Sequence, residues 1–140
     1  MKPILLIIDG MDKSGKTTLI NFINKKTDYA PLILDRGPIG YKVYSKLNVR
    51  DNTPKDYDKL EKTLLLSNHL CVYLYASHSE LSKRFIESYE KNIKFGIQYH
   101  LDLFNNYYTQ SKLNKISIDT TNLTVEETFK CIEKECKKYN

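Results

Sequence analysis

Apolar positions along this chain follow two rhythms, short unbroken runs and runs spaced by three or four residues, and the two alternate. Ile4–Asp9 (Ile-Leu-Leu-Ile-Ile-Asp) holds no polar residue before its last position, as a strand covered on both faces requires. Lys16–Lys26 follows, with Leu19, Ile20, Phe22 and Ile23 at helical spacing. Pro31–Asp35 is a second short strand broken by Gly37-Pro38, and Ile39–Leu47 then reads as a helix with Val43 and Leu47 inward. Asn52-Thr53-Pro54 predicts a turn with Thr53 as N-cap and Pro54 at the first helical position; that helix runs to about Ser67 and carries Leu60, Leu64 and Leu65. Leu70–Tyr75 is the third strand. Ser77 or Ser79 caps a helix through Leu81, Phe85 and Ile86, and Lys91–Gly96 interrupts the pattern. A further helix carries Ile97, Leu101, Phe104 and Tyr108. Ile116–Asp119 is the last strand, and Thr124–Lys138 the last helix, opened by the capping box Thr124-Val125-Glu126-Glu127.

Alternating strands and helices predict an α/β fold of four parallel strands with helices on both faces. The first strand is expected at the centre, between the second and third, because ligands bind where strand order reverses at the carboxyl ends. A chain of 140 residues supports one core, so residues 1–140 are read as one domain. No repeat, low-complexity tract or linker divides it.

Composition narrows the function classes. Apolar residues make up 41% and charged residues 28%, the balance of an ordinary soluble globule. The net charge of +5 suits a polyanionic ligand, but the lysines are spread along the chain and do not single out nucleic acid. Three cysteines (Cys71, Cys131, Cys136) lack zinc-ligand spacing and imply a reducing, cytoplasmic compartment, with Cys71 a small core residue. The first apolar run is too short for a signal or membrane segment. His69, His78 and His100 are scattered and are not read as catalytic or metal-binding.

The candidate chemistry begins where the first strand ends. Gly10-Met11-Asp12-Lys13-Ser14-Gly15-Lys16-Thr17-Thr18 fits G-x-x-x-x-G-K-[ST], the phosphate-cradling loop, between a strand and a helix start as its mechanism requires. Gly10 and Gly15 allow backbone angles that turn successive N–H groups around an anion. The helix after Gly15 adds the positive end of its dipole. Lys16 reaches the outer phosphates, and the Thr17 hydroxyl suits the Mg²⁺ that travels with a nucleoside triphosphate. At the end of the second strand, Asp35 can support that metal, and Arg36, planar and permanently charged, suits a second phosphate group.

The loop Gly10–Thr18 and the stretch Asp35-Arg36-Gly37-Pro38-Ile39-Gly40-Tyr41-Lys42-Val43-Tyr44 together resemble thymidylate kinases, which carry Gly-x-Asp-x-x-Gly-Lys-[Ser/Thr]-Thr and Asp-Arg-Tyr-x-x-Ser-x-x-Ala-Tyr. Leu70–Arg84 is similar to the element before their lid, and Ile118–Asn122 with Glu126-Glu127 to their closing strand, purine-side loop and last helix. The resemblance implies a P-loop fold of three layers and transfer of a phosphoryl group from ATP·Mg²⁺ to a deoxynucleoside monophosphate. It puts Gly10, Asp12, Lys13, Ser14, Gly15, Lys16, Thr17, Thr18 and Arg84 around the donor, and Thr17 and Asp35 on the metal. Arg36, Asp12, Tyr41 and Tyr44 are left for the acceptor. Lys13 is the candidate for neutralising charge on the transferring group, because the lid region offers Arg84, Lys91 and Lys94 but no paired arginines. The implied partners are small nucleotides, not a membrane; nucleic acid is disfavoured, and a homodimer is compatible.

Two departures accompany the resemblance. About five residues (Thr27–Pro31) separate the first helix from the Asp35-Arg36 strand, where the family has a further strand and helix for acceptor binding. Gly37 and Gly40 replace larger residues. The chain therefore looks like a compact, viral-type relative, and acceptor identity is the open point. A nucleoside or nucleic-acid 5′-hydroxyl kinase and a nucleotide-binding module without transfer chemistry stand as the alternatives.

Overall fold

The computed structural model describes residues 3–26, 28–48, 54–88 and 96–139. Strands β1 (Leu5–Asp9), β2 (Leu32–Asp35), β3 (His69–Tyr75) and β4 (Lys115–Asp119) form one parallel sheet in the order β2-β1-β3-β4. The expected central β1 is observed, flanked by β2 and β3. The helices are α1 (Lys16–Asn24), α2 (Pro38–Leu47), α3 (Pro54–Leu64), α4 (His78–Glu87), α5 (Ile97–Gln110) and α6 (Val125–Cys136), followed by a 3₁₀ turn at Lys137–Tyr139.

The unbroken apolar runs have their explanation in the layers. Alternate residues of β1 feed opposite cores: Leu6 and Ile8 pack with Leu19 and Ile23 of α1 and Phe129 and Ile132 of α6. Ile7 packs on the other face with Ile39 and Val43 of α2, Leu81 and Phe85 of α4, and Leu101 and Phe104 of α5. Each of these fully buried aliphatic side chains contributes about 1.5–3 kcal/mol by leaving water. Cys71 belongs to this second core and is fully buried, as the sequence predicts. Period two puts Asp9, two residues beyond Ile7, on that same α2/α5 face.

Helix ends follow local chemistry. Thr124 and Glu127 form the expected capping box on α6, and Ser77, not Ser79, caps α4 by accepting from the Glu80 N–H at 3.1 Å. Helix α3 stops at Leu64, short of the expected end, and Leu65 and Leu66 turn outward. Ile86 is likewise exposed, while Leu81 and Phe85 hold α4 to the core. Thr53, Lys91 and Lys94 lie outside the described residues. Strand β2 forms the sheet edge, with Leu32 71% exposed. Among the described residues no helix is long and apolar enough to cross a membrane.

Candidate active site

The connections leave β1 for one face and β2 for the other, so the carboxyl ends of these neighbours open a crevice. There the loop from Gly10 to Gly15 turns the chain into α1. Gly10 has φ 150°, and a Cβ at this position would collide with the Leu74 carbonyl and crowd the Ser14 hydroxyl. Gly15 has φ 104° and occupies the N-cap of α1 without a side-chain cap, which leaves the helix's leading N–H groups for an anion. Lys13 is left-handed as well, at φ 69°, and the Ser14 N–H closes a turn onto the Met11 carbonyl at 3.1 Å.

The loop backs onto two side chains from distant elements. Arg84 of α4 donates from Nη1 to the Lys13 carbonyl at 2.8 Å and from Nη2 to the Thr120 carbonyl at 3.0 Å. Thr120, just after β4, donates its hydroxyl to the Ser14 carbonyl at 2.9 Å. In front of the loop lies a cleft of about 820 Å³ whose lining includes Asp12 through Thr18, Asp35, Arg36, Arg84, Leu123 and Val125. Lys16 Nζ stands 3.6 Å from Asp35 Oδ1. The phosphate loop and the Asp35-Arg36 pair thus share one cleft.

The Asp35-Arg36 corner is built as tightly as the loop. Arg36 adopts φ 86°, a left-handed conformation rare for a side chain of its size, and its amide donates to the Ile8 carbonyl at 2.9 Å. Its guanidinium carbon lies 3.9 Å from the centre of the Tyr44 ring, a cation–π contact that presents the charge to the cleft. The Tyr44 hydroxyl is buried without a partner among the described residues, and burial pushes it up to about 12. Tyr41 does not line this cleft; its ring stacks on Tyr57 of α3, with centroids 5.5 Å apart and planes 19° apart.

A residue given no role in the sequence reading stands beneath this corner. Asp9 is fully buried at the end of β1. Its Oδ2 accepts from the Gly37 N–H at 3.1 Å, and its Oδ1 lies beside the Gly40 backbone without a well-formed hydrogen bond. Burial raises its carboxyl from 3.8 to about 6, against the opposing pull of the Gly40 and Gly37 amides and the Lys16 and Arg36 charges. The two glycines now have a physical reason. A Cβ on Gly37 would strike Ile7, and one on Gly40 would strike Asp9 Oδ1 and crowd the Arg36 stem. The signal available in the sequence was a charged residue closing an otherwise apolar run.

The oxygen donors here are hard: an exposed hydroxyl on Thr17 and the carboxylate of Asp35, 65% exposed. That donor set fits Mg²⁺, which keeps most of its waters and takes one or two protein oxygens beside phosphate. Among the described residues no group of three or more His, Cys, Asp or Glu could hold a metal ion.

Solved structures share this architecture. The YorR protein of Bacillus subtilis, solved with phosphorylated GDP, is 20% identical with a TM-score of 0.77, over 97% of this chain and 98% of that one. Deoxyadenosine kinase from M. mycoides with bound dCTP is 22% identical with a TM-score of 0.63, over 96% and 99%. Thymidylate kinase from Candida albicans is 13% identical with a TM-score of 0.59, over 99% and 92%. The chain has the fold of these three proteins. No family model matches it, and no curated protein does.

Proposed function

We propose that this protein transfers a phosphoryl group from ATP, carried with Mg²⁺, to a deoxynucleoside monophosphate of the thymidylate type. The observation that carries the reading is the meeting of two anion-binding devices in one cleft, the loop with Lys16 and the corner with Arg36, joined by the 3.6 Å approach of Lys16 to Asp35. In this reading the loop amides and Lys16 hold the donor phosphates, Thr17 and Asp35 hold the metal, and Arg36 holds the acceptor phosphate. Lys13 offsets charge on the group in transit. Asp12, exposed on the same cleft, is left for the acceptor sugar. Mg²⁺ held there would supply charge neutralisation; the protein's own part is positioning, and an anionic acceptor needs no base. The fold shared with thymidylate and deoxyadenosine kinases supports this assignment.

Asp9 favours a second reading, in which the acceptor is the 5′-hydroxyl of a nucleoside. A buried carboxyl with an unpaired oxygen and a raised pKa suits a group that takes a proton from an incoming hydroxyl. Labelled ATP with Mg²⁺, offered with deoxynucleosides and with their monophosphates, separates the two. Transfer to monophosphates that persists in Asp9→Asn supports the first. Transfer to nucleosides, rising with pH through about 6 and lost in Asp9→Asn, supports the second. ATP binding without transfer to any acceptor rejects both.

A further inference from the structure

The back of the phosphate loop is held by more polar contacts than its chain path requires, and they converge on two carbonyls. Lys13 and Ser14 are consecutive, and their carbonyl oxygens are taken up by Arg84 at 2.8 Å and by the Thr120 hydroxyl at 2.9 Å, two side chains that themselves line part of the cleft. In a trans peptide the C=O and the following N–H point in opposite directions. Holding the Ser14 carbonyl on Thr120 therefore fixes the orientation of the Gly15 N–H, the first amide of the helix start. The Ser14 N–H is already committed to Met11, and Lys13 sits in a left-handed conformation that needs its surroundings to maintain it.

The bonding of Thr120 and Arg84 shows where their capacity goes. The Thr120 hydroxyl has two carbonyls within reach of its proton, and Ser14 at 2.9 Å is nearer than Tyr75 at 3.1 Å, which also receives the Thr120 N–H at 2.7 Å. Arg84 Nη1 also approaches the Thr120 hydroxyl at 3.3 Å, and Nε is anchored on Glu80 at 3.1 Å. Four donations from Arg84 thus end on protein atoms, and its guanidinium joins α4, the loop and the turn after β4. We infer that Thr120 and Arg84 are positioning residues that hold the phosphate loop in its anion-capturing shape, and that Arg84 acts on the nucleotide through the loop. This rests on the reading of the cleft as a triphosphate site.

The test uses the whole chain with Mg²⁺ and two calorimetric probes, ATP and inorganic tripolyphosphate, the second having no base or sugar. Thr120→Val, close to isosteric, should weaken both probes by about tenfold, the scale of one lost hydrogen bond in a preorganised site. Thr120→Ser, which keeps the hydroxyl, should recover most of that affinity. Arg84→Lys retains the charge but not the fork, and should weaken ATP and tripolyphosphate by the same factor. If Arg84→Lys weakens ATP and leaves tripolyphosphate untouched, Arg84 is a base or sugar contact and its assignment here is overturned. Equal affinities in wild type and Thr120→Val, or a Thr120→Ser variant as weak as Thr120→Val, would overturn the role of the hydroxyl. Should Thr120→Val fail to fold, Thr120→Ser and Arg84→Lys carry the decision. Wild-type protein that binds neither probe overturns the triphosphate reading itself, an outcome distinct from variants that bind as well as wild type.

Discussion

The two halves of the cleft differ in how far the protein has completed its own hydrogen bonding. On the loop half, the Lys13 and Ser14 carbonyls are taken up by Arg84 and Thr120, and what remains is main-chain N–H at an uncapped helix start and one buried side-chain oxygen without a partner among the described residues, Ser14 Oγ. On the Arg36 half, Asp9 Oδ1 and the hydroxyls of Tyr44 and Tyr73 are buried with no partner among the described residues. These groups are close neighbours: Tyr73 pairs with Asp9 across the sheet and stacks on Phe104, which meets the Tyr44 ring edge-on. Unsatisfied buried polar atoms cost about 1–3 kcal/mol each, a burden that a bound sugar, base or water relieves. In the proposed reading the loop half takes the donor, and the Arg36 half, with more buried polar atoms left unpaired, takes the acceptor.

The largest expected effects test that division of labour. Lys16→Ala and Arg36→Ala should each lower kcat/KM by about 10³-fold, since each removes a positioned cation from the developing charge. Circular dichroism should show both variants folded, because neither side chain belongs to the two cores. Only Lys16→Ala should weaken ATP binding by calorimetry. Comparable loss of ATP affinity in Arg36→Ala would erase the boundary between donor and acceptor halves.

Asp9 gives the next effect, on stability. Its carboxyl is raised from 3.8 to about 6, so between those values the folded protein keeps a proton that the unfolded chain has released. The stability this contributes is fully present below the unfolded value and is lost as pH climbs through the folded one. Above about pH 6 the buried charge is a net burden, and Asp9→Asn should stabilise the nucleotide-free protein there by up to about 3 kcal/mol. The gain should vanish near pH 4. Urea unfolding across this range measures it, and an Asp9→Asn protein less stable than wild type at about pH 8 would mean that the carboxylate is well satisfied in the native state.

These two predictions also mark what the sequence disclosed. Features fixed by near neighbours were legible: strand runs, the Thr124 cap, the α4 cap as one of two serines, and the loop glycines; the alternation of strands and helices also gave the central place of β1. Features fixed by contacts between distant segments were not. Asp9 reads as the polar end of the first strand until Gly37, 28 residues away, brings its amide to the carboxylate. Thr120 and Arg84 show their targets only once β4 and α4 lie beside the loop. His69 reads as an isolated histidine, yet its ring bonds the Ser67 carbonyl through Nδ1 and accepts the Asn114 N–H at Nε2, tying the starts of β3 and β4. Glu61 of α3, unremarked in the sequence pattern, accepts from the Ser111 hydroxyl and the Lys112 N–H beyond the end of α5. No periodicity encodes such pairings.

Gly40→Ala bears on the acceptor half alone. The added methyl must displace Asp9 Oδ1 or the Arg36 stem, so a loss of about 1–3 kcal/mol is expected, the usual scale of overpacking. The acceptor KM should rise while ATP affinity holds. Intact stability and kinetics in this variant would show that the corner has slack, and the raised carboxyl of Asp9 would then lack its tight enclosure.

Tyr41 sets the outer limit of that half and the smallest effect. Its neighbours Tyr44 and Arg36 belong to the corner, but its own ring stacks on Tyr57, and the adjoining Lys42–Asp58 ion pair and Ser45–Tyr57 hydrogen bond make this side of α2 an interface with α3. Tyr41→Leu should therefore cost about 0.5–1.5 kcal/mol of stability, the range of an aromatic pair, and leave the acceptor KM near wild type. A double-mutant cycle with Tyr57→Leu isolates the ring pair, and a coupling energy near zero would mean that the stack contributes nothing beyond burial. A large rise in acceptor KM with stability unchanged would instead move Tyr41 into the acceptor site, extending the acceptor half by one turn of α2.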